Sequence, residues 1–328
     1  MAVARQIPFT SLLGQFKKSF KAADGKIPRI ILVTMANTHD KTLSRECARD
    51  MKAVQTVFKN ISKHLKMPFC SIEVAGKHYT WENLNKAIAA IPMPEEAVQN
   101  KLDDLVIFYY TGHGFSYQAD RYAKYPQLDI RPHNKQVKFN SIDFIKRHTI
   151  NIENVLNFVR MRGGKITVAI ADCCNTIIPY KRPAGDAQDM WASGVMLPSK
   201  TKKITKQMLV DTNKEICILL ASSQLGQPAV TDTKMGSLFT HFFTQALSAV
   251  TDRKHKAGIY IPWPAILKKA SAQAFKESRG YDVGGGVAGK QKAVYQAYVS
   301  NQMSIEDRYL SMIIAFEEGK GKGGYPKK

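Results

Sequence analysis

Cysteine is scarce in this sequence: five in 328 residues, at positions 47, 70, 173, 174 and 217, with no Cys-x-x-Cys pair. Such spacing excludes a disulfide framework and a thiolate zinc site, and it points to a reducing, cytoplasmic setting. No apolar run approaches the roughly 20 residues that cross a bilayer. Residues 1–20 hold only short apolar patches, broken by Gln15, Lys17 and Lys18, so the apolar stretch of a secretory signal is missing. There is no repeat at a solenoid period. Acidic residues are few, 27 Asp and Glu against 48 Lys and Arg, which leaves a net charge of +21. The basic residues are dispersed in short groups, at 17–18, 200–206, 253–256, 268–269 and 320–328, without the interleaved aromatics that stack bases. The plain reading of this charge is a solvated basic surface; the sharper one is a salt-sensitive site for an anionic partner. With 44% hydrophobic and 23% charged residues, the composition excludes a disordered, collagen-like or coiled-coil chain.

What remains is an alternation of strand and helix patterns. Residues 30–35, 105–110, 166–171 and 216–221 are continuous apolar runs, as expected of strands buried on both faces. Residues 70–74 and 293–299 add two further strands. Helices fall near 44–65, 80–91, 152–160, 239–250 and 264–275, with Thr80 as an N-cap and Gly163-Gly164 ending the third. The segment after residue 114 reads as polar and irregular to about 140, and residues 176–214 read as a long basic loop. The pattern predicts an α/β fold: a mostly parallel central sheet of about six strands with helices on both faces. It spans residues 28–315, after a basic N-terminal extension (1–27) and before a Lys/Gly-rich tail (316–328). Within the extension, Ile7, Phe9, Leu12, Leu13, Phe16 and Phe20 suit a helix packed on the domain better than an amphipathic membrane-surface segment. Gly284 to Gly289 fits a dinucleotide fingerprint as a string, but it lacks the preceding strand and following helix, so it reads as a loop.

In open parallel sheets, sites form outside the carboxyl ends of strands. Two polar clusters occupy such ends here: Thr111-Gly112-His113-Gly114, and Asp172-Cys173-Cys174-Asn175. His113 lies between two glycines, where a base could stand beside an unobstructed Gly114 N–H. Cys174 is the matching nucleophile, since a thiol beside an imidazole gains thiolate character. Gly114 and Cys174 N–H groups would hold the resulting oxyanion. Side chains alternate along a strand, so Asp172 shares a face with Cys174 while Cys173 points the other way. A carboxylate there is costly unless paired, either by a Lys or Arg of the protein or by a cation on the substrate.

These two segments, 61 residues apart from His113 to Cys174, resemble the paired signatures of caspase-fold cysteine peptidases, and most closely those of metacaspases and orthocaspases. The resemblance covers roughly residues 28–312. It implies a His113–Cys174 dyad. It implies a substrate pocket built from Cys47, Asp50, Thr111 and Asp172, with Thr111 in place of a usual serine, and hence peptide or protein substrates cleaved after Arg or Lys. Residues 236–240 resemble the family's stretch after its fifth strand. The 176–214 loop resembles the region where family members process themselves, with Lys181, Arg182, Lys200, Lys202 and Lys203 as cleavage points; a merely solvated loop is the equal alternative.

The chain also departs from the pattern. Where many metacaspases carry an acidic calcium cluster, residues 150–153 read Ile-Asn-Ile-Glu, and Asp129, Asp143, Asp186 and Asp189 are scattered. The expectation is therefore no metal, no cofactor and no calcium requirement, in a chain more simply monomeric than oligomeric. The rival to a peptidase is a catalytically silent caspase-fold adaptor that binds an anionic partner through the basic surface. It predicts binding that ignores Cys174.

Overall fold

The structure is a computed structural model that describes residues 7–23, 29–92, 104–117, 124–132, 144, 147–162, 164–178, 214–251, 263–284 and 286–301. Its centre is a six-stranded sheet built from β1 (Ile30–Ala36), β2 (Phe69–Ala75), β3 (Leu105–Thr111), β7 (Ile166–Asp172), β9 (Lys214–Ala221) and β12 (Val294–Asn301). The spatial order is β12-β9-β7-β3-β1-β2, parallel throughout except for β12, which runs antiparallel to β9. The continuous apolar runs are central strands: every residue of β1 and β3 is buried. The edge strand β2 instead alternates buried and more exposed positions.

Helices cover both faces. On one side lie α1 (Phe9–Ala22), α3 (Trp81–Ala89) and α4 (Ile152–Met161), whose Phe16, Leu84 and Val155 join Ile31, Val33 and Phe108 in one core. On the other lie α2 (Ser44–Leu65), α5 (Leu238–Thr251) and α6 (Trp263–Ser278). There Val54, Phe58, Phe243 and Leu267 pack on Ile30, Leu32 and Ile107. The alternation of Ile30, Ile31, Leu32 and Val33 between the two cores is the period of two expected of a strand covered twice. α2 stops at Lys66, which takes a left-handed conformation (φ 56°) while Met67 N–H closes on the Ser62 carbonyl at 2.9 Å. Thr80 caps α3 as expected, its Oγ1 accepting the Asn83 N–H at 3.1 Å. The apolar stripe of α1 (Phe9, Phe16, Phe20) is spent on the sheet.

The expectation of irregular chain after residue 114 needs correction. β4 (Gly114–Tyr117), β5 (Gln127–Asp129), β6 (Thr149–Asn151) and β8 (Thr176–Ile178) form a second, four-stranded sheet in the order β6-β5-β4-β8. Strands of three or four residues are too short to show a periodicity. The 176–214 loop accordingly begins with a strand, and residues 179–213 lie outside the described ones. β10 (Thr231–Asp232) and β11 (Gly236–Ser237) form a short antiparallel pair ahead of α5. No helix among the described residues is long and apolar enough to cross a membrane.

Candidate active site

Three neighbouring strands stop at one level. Pairing sets Ala36 beside Thr111 and Thr111 beside Asp172. Asn37 N–H then donates to the Thr111 carbonyl at 3.0 Å, and Gly112 N–H to the Asp172 carbonyl at 3.3 Å, so the alignment continues one step past the strands. Farther on, β4 and β8 resume in parallel with Phe115 beside Thr176. The offset between the two chain segments is 61 residues before and after this gap, and 61 also separates His113 from Cys174. One register therefore carries the imidazole and thiol positions side by side. Gly114 allows the close approach: a Cβ there would run into Cys173 Sγ and stand 2.6 Å from the Cys174 carbonyl oxygen.

The backbone at His113 is fixed through its carbonyl, which accepts the Tyr110 hydroxyl at 2.7 Å and the Asp129 N–H at 3.0 Å. Its ring Nε2 lies 3.0 Å from Asp40 Oδ2. Asp40 belongs to the turn between β1 and α2, where its Oδ1 accepts the Thr42 N–H at 2.8 Å and the Thr42 hydroxyl at 2.5 Å. Partial burial would raise this carboxyl, but the Thr42 bonds and His113 outweigh it and hold Asp40 at about 2. Cys174 is partly buried, and its Sγ accepts the Ala229 N–H at 3.3 Å. Burial pushes this thiol up, and the N–H groups of Ala229 and of Cys174 itself pull it back. Cys173 is wholly buried on the α1 side, and burial drives its thiol far above the ordinary value.

Beside the dyad positions, on the α2–α5 side of the sheet, two carboxylates are buried together. Asp50, on α2, accepts the Ser237 N–H at 2.9 Å and the Thr111 hydroxyl at 3.2 Å. Asp172 gathers Thr240 N–H at 3.1 Å and the hydroxyls of Ser237 and Thr240 at 2.5 Å each, all on one oxygen. Its other oxygen is buried without a hydrogen bond. Among the described residues neither carboxylate makes an ion pair. Burial, then mutual repulsion, pushes Asp50 well above the usual carboxylate range, and burial raises Asp172. Two like charges so placed oppose each other's ionisation. Cys47 adjoins them, its Sγ 3.6 Å from Thr111 Oγ1, and burial holds it as a thiol, pushed up to about 12.

Residues 29–297 match the caspase-domain model of the peptidase C14 family. The chain belongs to that family. A search of curated proteins finds no match to the chain. The caspase domain thus accounts for the mostly parallel sheet and supports cysteine peptidase activity on protein or peptide substrates.

The fold brings His113, Gly114 and Cys174 to one strand-end cluster, and Cys47, Asp50, Thr111 and Asp172 to the adjoining acid pocket. Lys181, Arg182, Lys200, Lys202 and Lys203 lie outside the described residues, as do Asp143, Asp186 and Asp189. Of the acids weighed for calcium, Asp129 is buried and paired with Arg131 at 2.5 Å, while Asn151 caps α4 through the Glu153 N–H at 2.7 Å. Sequence reasoning missed Asp40 and Ala229, and it marked residues 236–240 only by resemblance, without a role at the acid pair. The first was within reach, because Asp40-x-Thr42 is an Asx-turn signal just past the end of a central strand. A surface hollow between α2 and α5, lined by Arg49, Lys52, Thr56 and His241 among others, holds none of the strand-end groups.

Proposed function

We propose that this caspase domain is a metacaspase-like cysteine endopeptidase that cuts after Arg or Lys. The observation that carries the reading is the buried acid pair Asp50–Asp172, which makes no ion pair among the described residues, adjoining strand ends that bear a cysteine and a histidine in one register. A guanidinium or ammonium beside the carboxylates would favour their ionised forms and offset their repulsion. An Asp side chain would add a third negative charge.

In the reaction, His113 takes the Cys174 proton, and the thiolate attacks the carbonyl carbon after the basic residue. The oxyanion accepts the N–H groups of Gly114 and Cys174. The imidazolium gives its proton to the leaving amine, and water then hydrolyses the thioester. Lys181, Arg182, Lys200, Lys202 and Lys203 supply the bonds such an activity would cut in its own loop. An adaptor role would give no reason for an uncompensated acid pair at this place.

The test is hydrolysis of fluorogenic peptides ending in Arg or Lys by wild type, Cys174→Ala and Cys173→Ala, with intact-mass analysis of each protein. The expected result is loss of at least about 10³-fold with Cys174→Ala, retained turnover with Cys173→Ala, and loop cleavage in wild type only. Activity that survives Cys174→Ala would overturn the assignment.

A further inference from the structure

We propose that Asp40 is the positioning residue for His113, so that the dyad works as a Cys174–His113–Asp40 relay with a side-chain carboxylate behind the imidazole. The proposal rests on the reading of His113 as the base. Its geometry is independent of that reading. Asp40 Oδ2 faces Nε2 at 3.0 Å, and a carboxylate accepts hydrogen bonds, so Nε2 carries the proton and Nδ1 is the bare nitrogen. The carboxylate is itself immobilised. Thr42 occupies Oδ1 with two donors, and the Asp40 carbonyl accepts the N–H groups of Ser44 at 2.8 Å and Leu43 at 3.2 Å, tying the turn to the first residues of α2. Asp40 therefore has one free oxygen, and it points at the ring.

Both ends of His113 are then set. Its carbonyl is clamped by Tyr110 and Asp129, and its Nε2 by Asp40. Only rotation that breaks the Asp40 bond could present the wrong nitrogen to the thiol. When Cys174 gives its proton to Nδ1, the imidazolium charge forms beside a carboxylate already ionised across the working pH range, because Asp40 is held at about 2. The proton leaves Sγ, resides on Nδ1 and passes to the leaving amine; Asp40 keeps its own state throughout. From another element, Arg131 faces this pair: its cation feels Asp40 across the site while bound to Asp129.

The experiment uses the full chain carrying ¹⁵N-labelled histidine in the Cys174→Ala background, with Asp40 intact, Asp40→Ala or Asp40→Asn. Ring ¹⁵N shifts of neutral His113 report the tautomer without any need for turnover. The expected result is a protonated Nε2 with Asp40 present and a mixture of tautomers in Asp40→Ala. In the active background, Asp40→Ala should lower kcat for a peptide ending in Arg by at least about 10-fold with little change in KM. That is less than the roughly 10⁴-fold for a fully buried triad aspartate, since Asp40 is partly exposed. Asp40→Asn, whose amide oxygen still accepts from Nε2–H, should restore the tautomer but only part of kcat. A tautomer and kcat unchanged in Asp40→Ala would overturn the proposal. A shifted tautomer in a chain that cleaves no peptide would leave the positioning role standing and sink the peptidase reading instead.

Discussion

Asp50 and Asp172 face opposite demands. Each would be more stable as a neutral amide, yet each is kept as a carboxyl beside the other. Asp50 is raised above its unfolded value, so its protonated form is favoured in the fold: the stability this gives is full below the unfolded pKa and is lost as pH rises through the raised one. Asp50→Asn, which keeps an oxygen for Ser237 N–H, should therefore raise stability at pH 7.5 by about 1 kcal/mol or more, roughly 2 °C or more in Tm. The gain should vanish near pH 4, and calorimetry at the two values checks both signs. The same variant should lose turnover of peptides ending in Arg, a stability gain set against function. The raised values also predict that KM for such peptides rises as pH falls through them, because protonated carboxyls no longer attract the guanidinium. Asp40 behaves oppositely: held at about 2, its contribution is present at neutral pH and is lost only as pH falls from the ordinary value of 3.8 through 2.

β11 shows how a two-residue element sets a site. Gly236 has φ 82°, and a Cβ there would run into Asp50 Oδ1. Gly236→Ala should therefore cost about 1–3 kcal/mol and displace Ser237, which serves both carboxylates. A denaturant midpoint that falls together with kcat/KM is the expected outcome. The long elements were legible in the sequence because their apolar periods are strong: β1, β3 and β7 are continuous runs, and α2 carries Val54, Val57, Phe58 and Ile61 on one stripe. The strand-end placement of His113 and Cys174 was legible because each closely follows such a run. β4, β5, β6 and β8 were not, since three or four residues hold no period and their partners are far apart in sequence. Ala229 was hidden for a related reason, and so was the partner of the Asp40 turn: nothing local says that a turn after β1 and a loop after β9 converge on groups from β3 and β7. Only the sheet order reveals it.

At the scale of the molecule, a structural ion pair and the candidate site lie at opposite ends of the sheet. At the amino ends of β1 and β3, Asp104 accepts the Arg29 backbone N–H at 2.8 Å and its guanidinium at 2.6 Å, an ion pair almost wholly removed from water. Asp104→Ala should cost about 1.5–3 kcal/mol by removing the acceptor of these charge-assisted hydrogen bonds, while leaving the choice of cleaved residue unchanged in whatever fraction stays folded. The proposed reading puts specificity at the carboxyl ends, where the acid pair adjoins the two positions that one register brings together. The most direct test is therefore kcat/KM for two peptides that differ only in Arg or Asp before the cleaved bond, measured with wild type and Asp172→Asn. Wild type should favour Arg by about 10³-fold or more, and Asp172→Asn should erase most of that preference. Equal cleavage of the two peptides by wild type, or a preference for Asp, would contradict the proposed reading.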